Sequence, residues 1–144
     1  MVIRKAEKTD IPHVLRLYAR VLDGGNTVQT ETAEQIYDKM KSYPDYHIYV
    51  AELDGNIVGT FALAIMDNMA HMGAKSGLIE DVAVSDSFQG KGIGTQMMKY
   101  AVEICKENAC YKVCLSSNIK REMAHKFYRK LGFKIHGYSF LTEL

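Results

Sequence analysis

The chain has 144 residues, enough for one domain with a buried core. Hydrophobic residues make up 47% and charged residues 24%, which excludes a disordered chain, and a formal net charge of +1 argues against a nucleic-acid-binding face. The opening MVIRKAEKTD is too polar for a signal peptide and no apolar run is long enough for a bilayer, so the cytoplasm is the expected location and no membrane partner is expected.

Val2 to Ala6 reads as a short strand. Thr9 and Asp10 offer helix-capping oxygens, Pro12 suits a first helical turn, and Ile11, Val14, Leu15, Tyr18, Val21 and Leu22 follow at helical spacing until Gly24-Gly25. A second helix is predicted from about Glu31 to Met40, with Ala33, Ile36 and Met40 turned inward. His47 to Leu53 and Asn56 to Met66 read as strands around an Asp54-Gly55 hairpin turn. Asp67 to Ser76 reads as a loop, and Gly77 to Val84 as an apolar strand interrupted by Glu80-Asp81. A glycine-rich turn, Gln89 to Gly94, opens a helix whose apolar face is Ile93, Met97, Ala101, Ile104 and Cys105. Tyr111 to Leu115 is predicted as a strand. Ala124, Phe127, Tyr128 and Leu131 mark a helix closed by Gly132, and Phe133 to Leu141 reads as a last strand. With no repeat or linker, the expectation is a single domain over 1–144. Its architecture is α/β: a mixed sheet with helices on both faces rather than a doubly wound parallel sheet. Cys105, Cys110 and Cys114 are odd in number and lack C-x2-C spacing, so buried thiols are expected rather than disulfides or a metal site.

Two features carry chemistry. Backbone N–H groups at a helix start are unpaired and partly positive, and glycines let them approach an anion closely, so Gln89 to Gly94 suits a phosphate cradle, while the glycines taken alone fit a flexible turn before a helix equally well. It is neither a Walker A loop, because Gly92 follows Gly90-Lys91, nor a dinucleotide fingerprint, because Thr95 stands where the last glycine belongs. What fits is Q-x-x-G-x-G. The second feature is Glu80, a carboxylate in an apolar strand, where burial raises its pKa toward that of a useful base. Because alternate strand residues face opposite sides, Glu80 and Asp81 are expected on different faces.

Gly77 to Val84, Gln89-Gly90-Lys91-Gly92-Ile93-Gly94 and AHKFYRKLGF (Ala124 to Phe133), in that order, resemble the GNAT family of N-acetyltransferases, as does the opening IRKAEKTD. The resemblance covers essentially the whole chain. It implies a mostly antiparallel sheet splayed between two parallel strands, with acetyl-CoA as cosubstrate. The implied cofactor-binding residues are Val82, Ala83 and Val84 for the pantetheine arm and Gln89, Gly90, Lys91, Gly92, Ile93, Gly94 and Thr95 for the pyrophosphate; Arg121, a cation at the start of the last helix, is placed to reach a CoA phosphate or an acidic substrate, with a solvated charge as the alternative. It also implies Tyr128 near the sulfur, as acid for the leaving thiolate, and the Val82 N–H as donor to the developing oxyanion. Ile79 to Val84 and Cys110-Tyr111-Lys112-Val113 resemble the glucosamine-phosphate N-acetyltransferases in particular. The chain departs from that subgroup at Ser116-Ser117, where an acidic residue is usual, and in its ending Ser139 to Leu144, which offers no basic residue for a sugar phosphate. Arg121 stands where many family members have asparagine.

The expected function is therefore acetyl transfer from acetyl-CoA to the primary amine of a small molecule, with Glu80 as base, Asp81 orienting the amine and Tyr128 as acid. A protein or peptide acceptor and a non-catalytic CoA-binding regulatory module are the alternatives. His125 shares a helix face with Tyr128 but reads as a surface residue, and Met66, Met69 and Met72 suggest an apolar loop near the amine. A homodimer is a further implication of the resemblance.

Overall fold

The computed structural model describes residues 1–143. The chain clusters into two compact units, Met1–Cys114 and Leu115–Leu144. One sheet carries the strands in the order β1 (Val2–Lys5), β2 (Tyr46–Leu53), β3 (Asn56–Met66), β4 (Lys75–Val84) and β5 (Cys110–Leu115). The first three neighbouring pairs are antiparallel. β4 reaches β5 through the helix α3 (Ile93–Glu107), the crossover that a parallel pair requires. Among the described residues, no helix is long and apolar enough to cross a membrane.

Alternation along β2 and β3 separates the two faces of the sheet. Ile48 and Val50 join Ala6 and Val14 in a core cluster, with Tyr18 of α1 (Ile11–Val21) and Tyr37 and Met40 of α2 (Thr30–Met40) packed against it. Tyr49 and Phe61 point the other way; their rings stack at 5.0 Å, and Tyr100 of α3 meets Tyr49 edge-on at 5.9 Å. Two glycines set how closely α3 approaches. A Cβ on Gly59 would meet Met97 Sδ, and one on Gly77 would land on Cys105 Sγ. Helices thus cover both faces, as expected.

Three expectations fail locally. Ile36 is 48% exposed, because the buried stripe of α2 runs through Ala33, Tyr37 and Met40, with the Tyr37 hydroxyl donating to Ala6 O at 2.6 Å. Asp10 does not cap α1. Its carboxylate accepts from Arg4 at 2.6 and 3.0 Å and from the Glu7 N–H at 2.8 Å, since a nearby guanidinium outcompetes a helix amide. Phe133 to Leu141 is not a strand. In the C-terminal unit α4 (Glu122–Lys130) ends at a turn where Gly132 has φ +90°, and the Phe133 N–H donates to Tyr128 O at 3.1 Å. No backbone hydrogen bond follows among the described residues, and a strand without a ladder partner does not form.

Candidate active site

The register between β3 and β4 explains the acid pair. Ala62 lies opposite Glu80 and Thr60 opposite Ala83, so the single residue Phe61 faces both Asp81 and Val82. This is a β-bulge. Asp81 takes the left-handed conformation it requires, with φ +53°. Directly opposed residues share a face, and Ile48, Ala62 and Glu80 form one row across β2, β3 and β4, so Glu80 points to the α1/α2 side. The bulge breaks the alternation beyond it. Both carboxylates raise the pKa of the Tyr46 phenol, after the larger effect of burial.

Burial, then the neighbouring Asp81 charge, raises the Glu80 carboxyl above the ordinary carboxylate range. Asp81 is raised by burial and then by Asp23, although it is the more exposed of the two. Glu80 makes no salt bridge among the described residues. The Tyr18 phenol is raised chiefly by burial and next by Asp81. Tyr18, Tyr46 and Asp23 were not legible as site residues. Tyr18 sits at core spacing on α1, Tyr46 opens an ordinary strand, and Asp23 lies in a helix-ending run.

The glycine turn before α3 is open on its outer side. Gly90 and Gly92 have φ +73° and +82°, and a Cβ at either would meet open space. Gly92 caps α3 with no side-chain hydrogen bond, and the first helical bond runs from Gln96 N to Gly92 O at 3.1 Å. The amides of Ile93, Gly94 and Thr95 precede that bond at the positive end of the helix dipole. The Ile93 side chain is 6% exposed and faces Gly59, so only its backbone is available to a ligand; buried Ala83 is in the same position. Gln89 braces the loop from inside, its amide donating to Val84 O at 3.2 Å and to Asp86 Oδ1 at 3.0 Å. Lys91 Nζ lies 5.0 Å over the Phe88 ring.

In the C-terminal unit, Tyr128 packs between Phe127 and Phe133 with ring centroids at 5.1 and 5.8 Å. Burial raises its phenol, with Arg121 opposing, so it stays protonated at neutral pH. Arg121 precedes α4, and its N–H donates to Asn118 O at 2.9 Å. His125 Nε2 lies 3.0 Å from the same carbonyl.

The signature of the Acetyltransferase (GNAT) family matches residues 13–133. The chain belongs to this family. The glucosamine 6-phosphate N-acetyltransferase of Candida albicans is 32% identical over 136 residues, 93% of this chain and 89% of the relative. A putative [ribosomal protein bS18]-alanine N-acetyltransferase of Bacillus subtilis is 24% identical over 135 residues, 94% of this chain and 82% of that one. Among solved structures, a putative acetyltransferase from Agrobacterium tumefaciens superposes with a TM-score of 0.94 at 27% identity, covering 100% of both chains. The protein is thus a GNAT N-acetyltransferase, of a family that uses acetyl-CoA as cosubstrate. Its glycine turn suits the diphosphate of that cosubstrate: open space at both positive-φ glycines, and uncapped amides behind them.

Proposed function

We propose that this enzyme transfers the acetyl group of acetyl-CoA to the primary amine of a small molecule by direct attack on the thioester. One observation carries the reading. A bulge in β4 falls at two adjacent carboxylates of raised pKa, and the same strand runs on into an uncapped glycine turn. Group and anchor are thereby tied to one continuous piece of backbone.

The amides from Gln89 to Thr95, with Lys91 beside them, hold the pyrophosphate, and Arg121 takes a further phosphate. The backbone of Val82, Ala83 and Val84 pairs with the pantetheine arm. Asp81 orients the acceptor as a cation, and Glu80 takes its proton, directly or through one water, which leaves the nitrogen lone pair free. A carbon–nitrogen bond forms and the carbon–sulfur bond breaks. The Val82 N–H serves the oxygen on which charge develops, and Tyr128 gives its proton to the departing sulfur. A raised carboxyl suits the base and a raised phenol the acid.

The Candida albicans relative makes an amino-sugar phosphate the first acceptor to try, while Ser116 and Ser117 favour a different small amine. The Bacillus subtilis relative favours a second reading, acetylation of a protein N-terminus. A thiol-release screen with acetyl-CoA separates them. It would present amino-sugar phosphates, aminoglycosides, polyamines, amino acids and N-terminal peptides to the purified chain. Turnover with a small amine is expected. Turnover with peptides alone would overturn the small-molecule reading, and acetyl-CoA binding without release for any amine would leave a non-catalytic CoA module.

A further inference from the structure

The α3 face of the sheet holds an opening of its own. Gly59 and Gly77 let α3 lie close over β3 and β4, and a cavity of about 300 Å³ is left between the second half of the helix and the outer strands. Directly opposed residues share a face, so Lys5 on β1, Tyr49 on β2 and Phe61 on β3 form one row on this side, and His47 and Leu63 form the next. Glu80 belongs to the row of Ile48 and Ala62 on the opposite face, so the cavity is separate from the candidate active site.

Its volume is that of a small-ligand cleft, and Leu63, Ile65 and Ile104 give it apolar walls. Its polar groups are unmatched. Tyr49 is 4% exposed; its carbonyl accepts from Thr60 Oγ1 at 2.8 Å, but its hydroxyl has no partner among the described residues. Among those residues only Ser117 Oγ is both sealed from water and unpartnered, so the Tyr49 hydroxyl keeps an opening, and the cavity that Tyr49 lines is where it opens. Lys5, Asp45 and Glu107 line the same cavity, and none of them makes a salt bridge among the described residues. Burial first and the Lys5 charge second hold the His47 imidazole below its ordinary range, so it is neutral at neutral pH and adds no second cation.

We propose that this cavity binds a small zwitterion of the dipeptide class, with its carboxylate on Lys5, its ammonium group at Asp45 and Glu107, and its peptide group on the Tyr49 hydroxyl. An anion alone would sit beside two carboxylates, and a cation alone would leave Lys5 unmatched, so only a ligand with both charges complements the rim. The charges also set the length. Lys5 is level with Tyr49, and Asp45 lies four residues before Tyr49, roughly 13 Å at extended spacing. A single α-amino acid carries both charges on one carbon and cannot reach both ends. A dipeptide, met by the flexible four-carbon stem of the lysine, does. An ω-amino acid spans the same gap but brings no polar group to the Tyr49 hydroxyl, and a buried hydroxyl left unpaired is costly. Apolar side chains on the dipeptide meet Leu63, Ile65 and Ile104.

The test uses the full chain without acetyl-CoA, so its result is independent of acetyl transfer. Calorimetric titration with leucyl-leucine is expected to show saturable binding. Acetylating the amine or esterifying the carboxylate of the dipeptide removes one charge, and each is expected to weaken binding about tenfold or more. Lys5→Ala and Glu107→Gln change only exposed side chains, and each is expected to weaken binding of leucyl-leucine about tenfold with unchanged circular dichroism. Tyr49→Phe keeps the ring stacked on Phe61 and is expected to weaken binding about fivefold. If that core variant fails to fold, the two rim variants carry the test. Glu80→Gln is expected to leave the affinity unchanged. No binding at millimolar leucyl-leucine would overturn the proposal. So would equal binding of the two blocked dipeptides, or binding that survives both rim variants. Binding lost in Glu80→Gln alone would overturn it too, by putting the dipeptide in the acceptor site.

Discussion

Glu80 owes its raised pKa to burial first and to Asp81 second, and both causes act on activity and on stability. In the proposed role of base, it sets an acid limb of kcat/KM above the ordinary carboxylate range. Glu80→Gln is expected to remove that limb and lower kcat/KM by about 10²-fold or more, as pH-rate profiles would show. The sign reverses for folding. A carboxyl raised in the folded state favours the protonated form, so its contribution is present at low pH and is lost as pH rises through the folded pKa. Glu80→Gln should therefore raise the melting temperature slightly at pH 7 and leave it unchanged at pH 3. Tyr128→Phe keeps the ring between Phe127 and Phe133 and removes only the proton. It should lower kcat by about 10²-fold with acetyl-CoA affinity unchanged in a titration; unchanged turnover would remove Tyr128 from the chemistry. Gly92→Asp meets no steric obstacle beyond its φ of +82°, so a carboxylate facing the pyrophosphate is the main change. Acetyl-CoA binding is expected to weaken at least about tenfold, roughly 1.4 kcal/mol.

The central element is β4, where a strand, a bulge, a turn and a helix start follow one another. α3 can lie close against β3 and β4 because Gly59 and Gly77 leave space for Met97 and Cys105. Cys105 is 3% exposed, and burial pushes its thiol up to about 12, which suits a packing group rather than a reactive one. Gly77→Ala would drive a methyl group onto its sulfur. The expected cost is about 1–3 kcal/mol in chemical denaturation, and Cys105→Ala in the same chain should restore most of it. Failure of that rescue would mean the strain lies elsewhere, in Val113 for example, which also borders Gly77. The periodicity of α3 made this packing legible from sequence, since Ile93, Met97, Ala101 and Cys105 are all buried. In α2 the same reasoning placed Ile36 inside, and the larger Tyr37 took the inner position because its hydroxyl reaches Ala6 O.

Across the N-terminal unit, one ion cluster ties the first strand to its surroundings. Arg4 on β1 donates to Asp10, just before α1, and to Glu52 on β2 at 2.9 and 3.1 Å. Arg4 first, with the Glu7 N–H also contributing against burial, lowers the Asp10 carboxyl below the ordinary range. A lowered carboxyl contributes stability above its unfolded pKa and loses it as pH falls through the folded one. Asp10→Asn should cost about 1–3 kcal/mol at pH 7, measured by urea unfolding, and the difference should vanish at strongly acidic pH. A difference that persisted there would assign the loss to packing.

The sequence by itself determined the family and the strand and helix order through α4, and it marked out the glycine turn and the candidates Glu80, Asp81 and Tyr128. Each of these is written in local periodicity or in a short run of residues whose conformational preference acts over a few bonds. Only the tertiary structure decided that β4 bulges at Asp81, that the charges of Asp81 and Asp23 are felt by Tyr18, Tyr46 and each other, and that Phe133 to Leu141 stands unpaired. A bulge is a mismatch between two strands, and an electrostatic neighbourhood joins residues far apart in the chain. A strand exists only through its ladder. None of these is a property of one segment, so no segment reveals it.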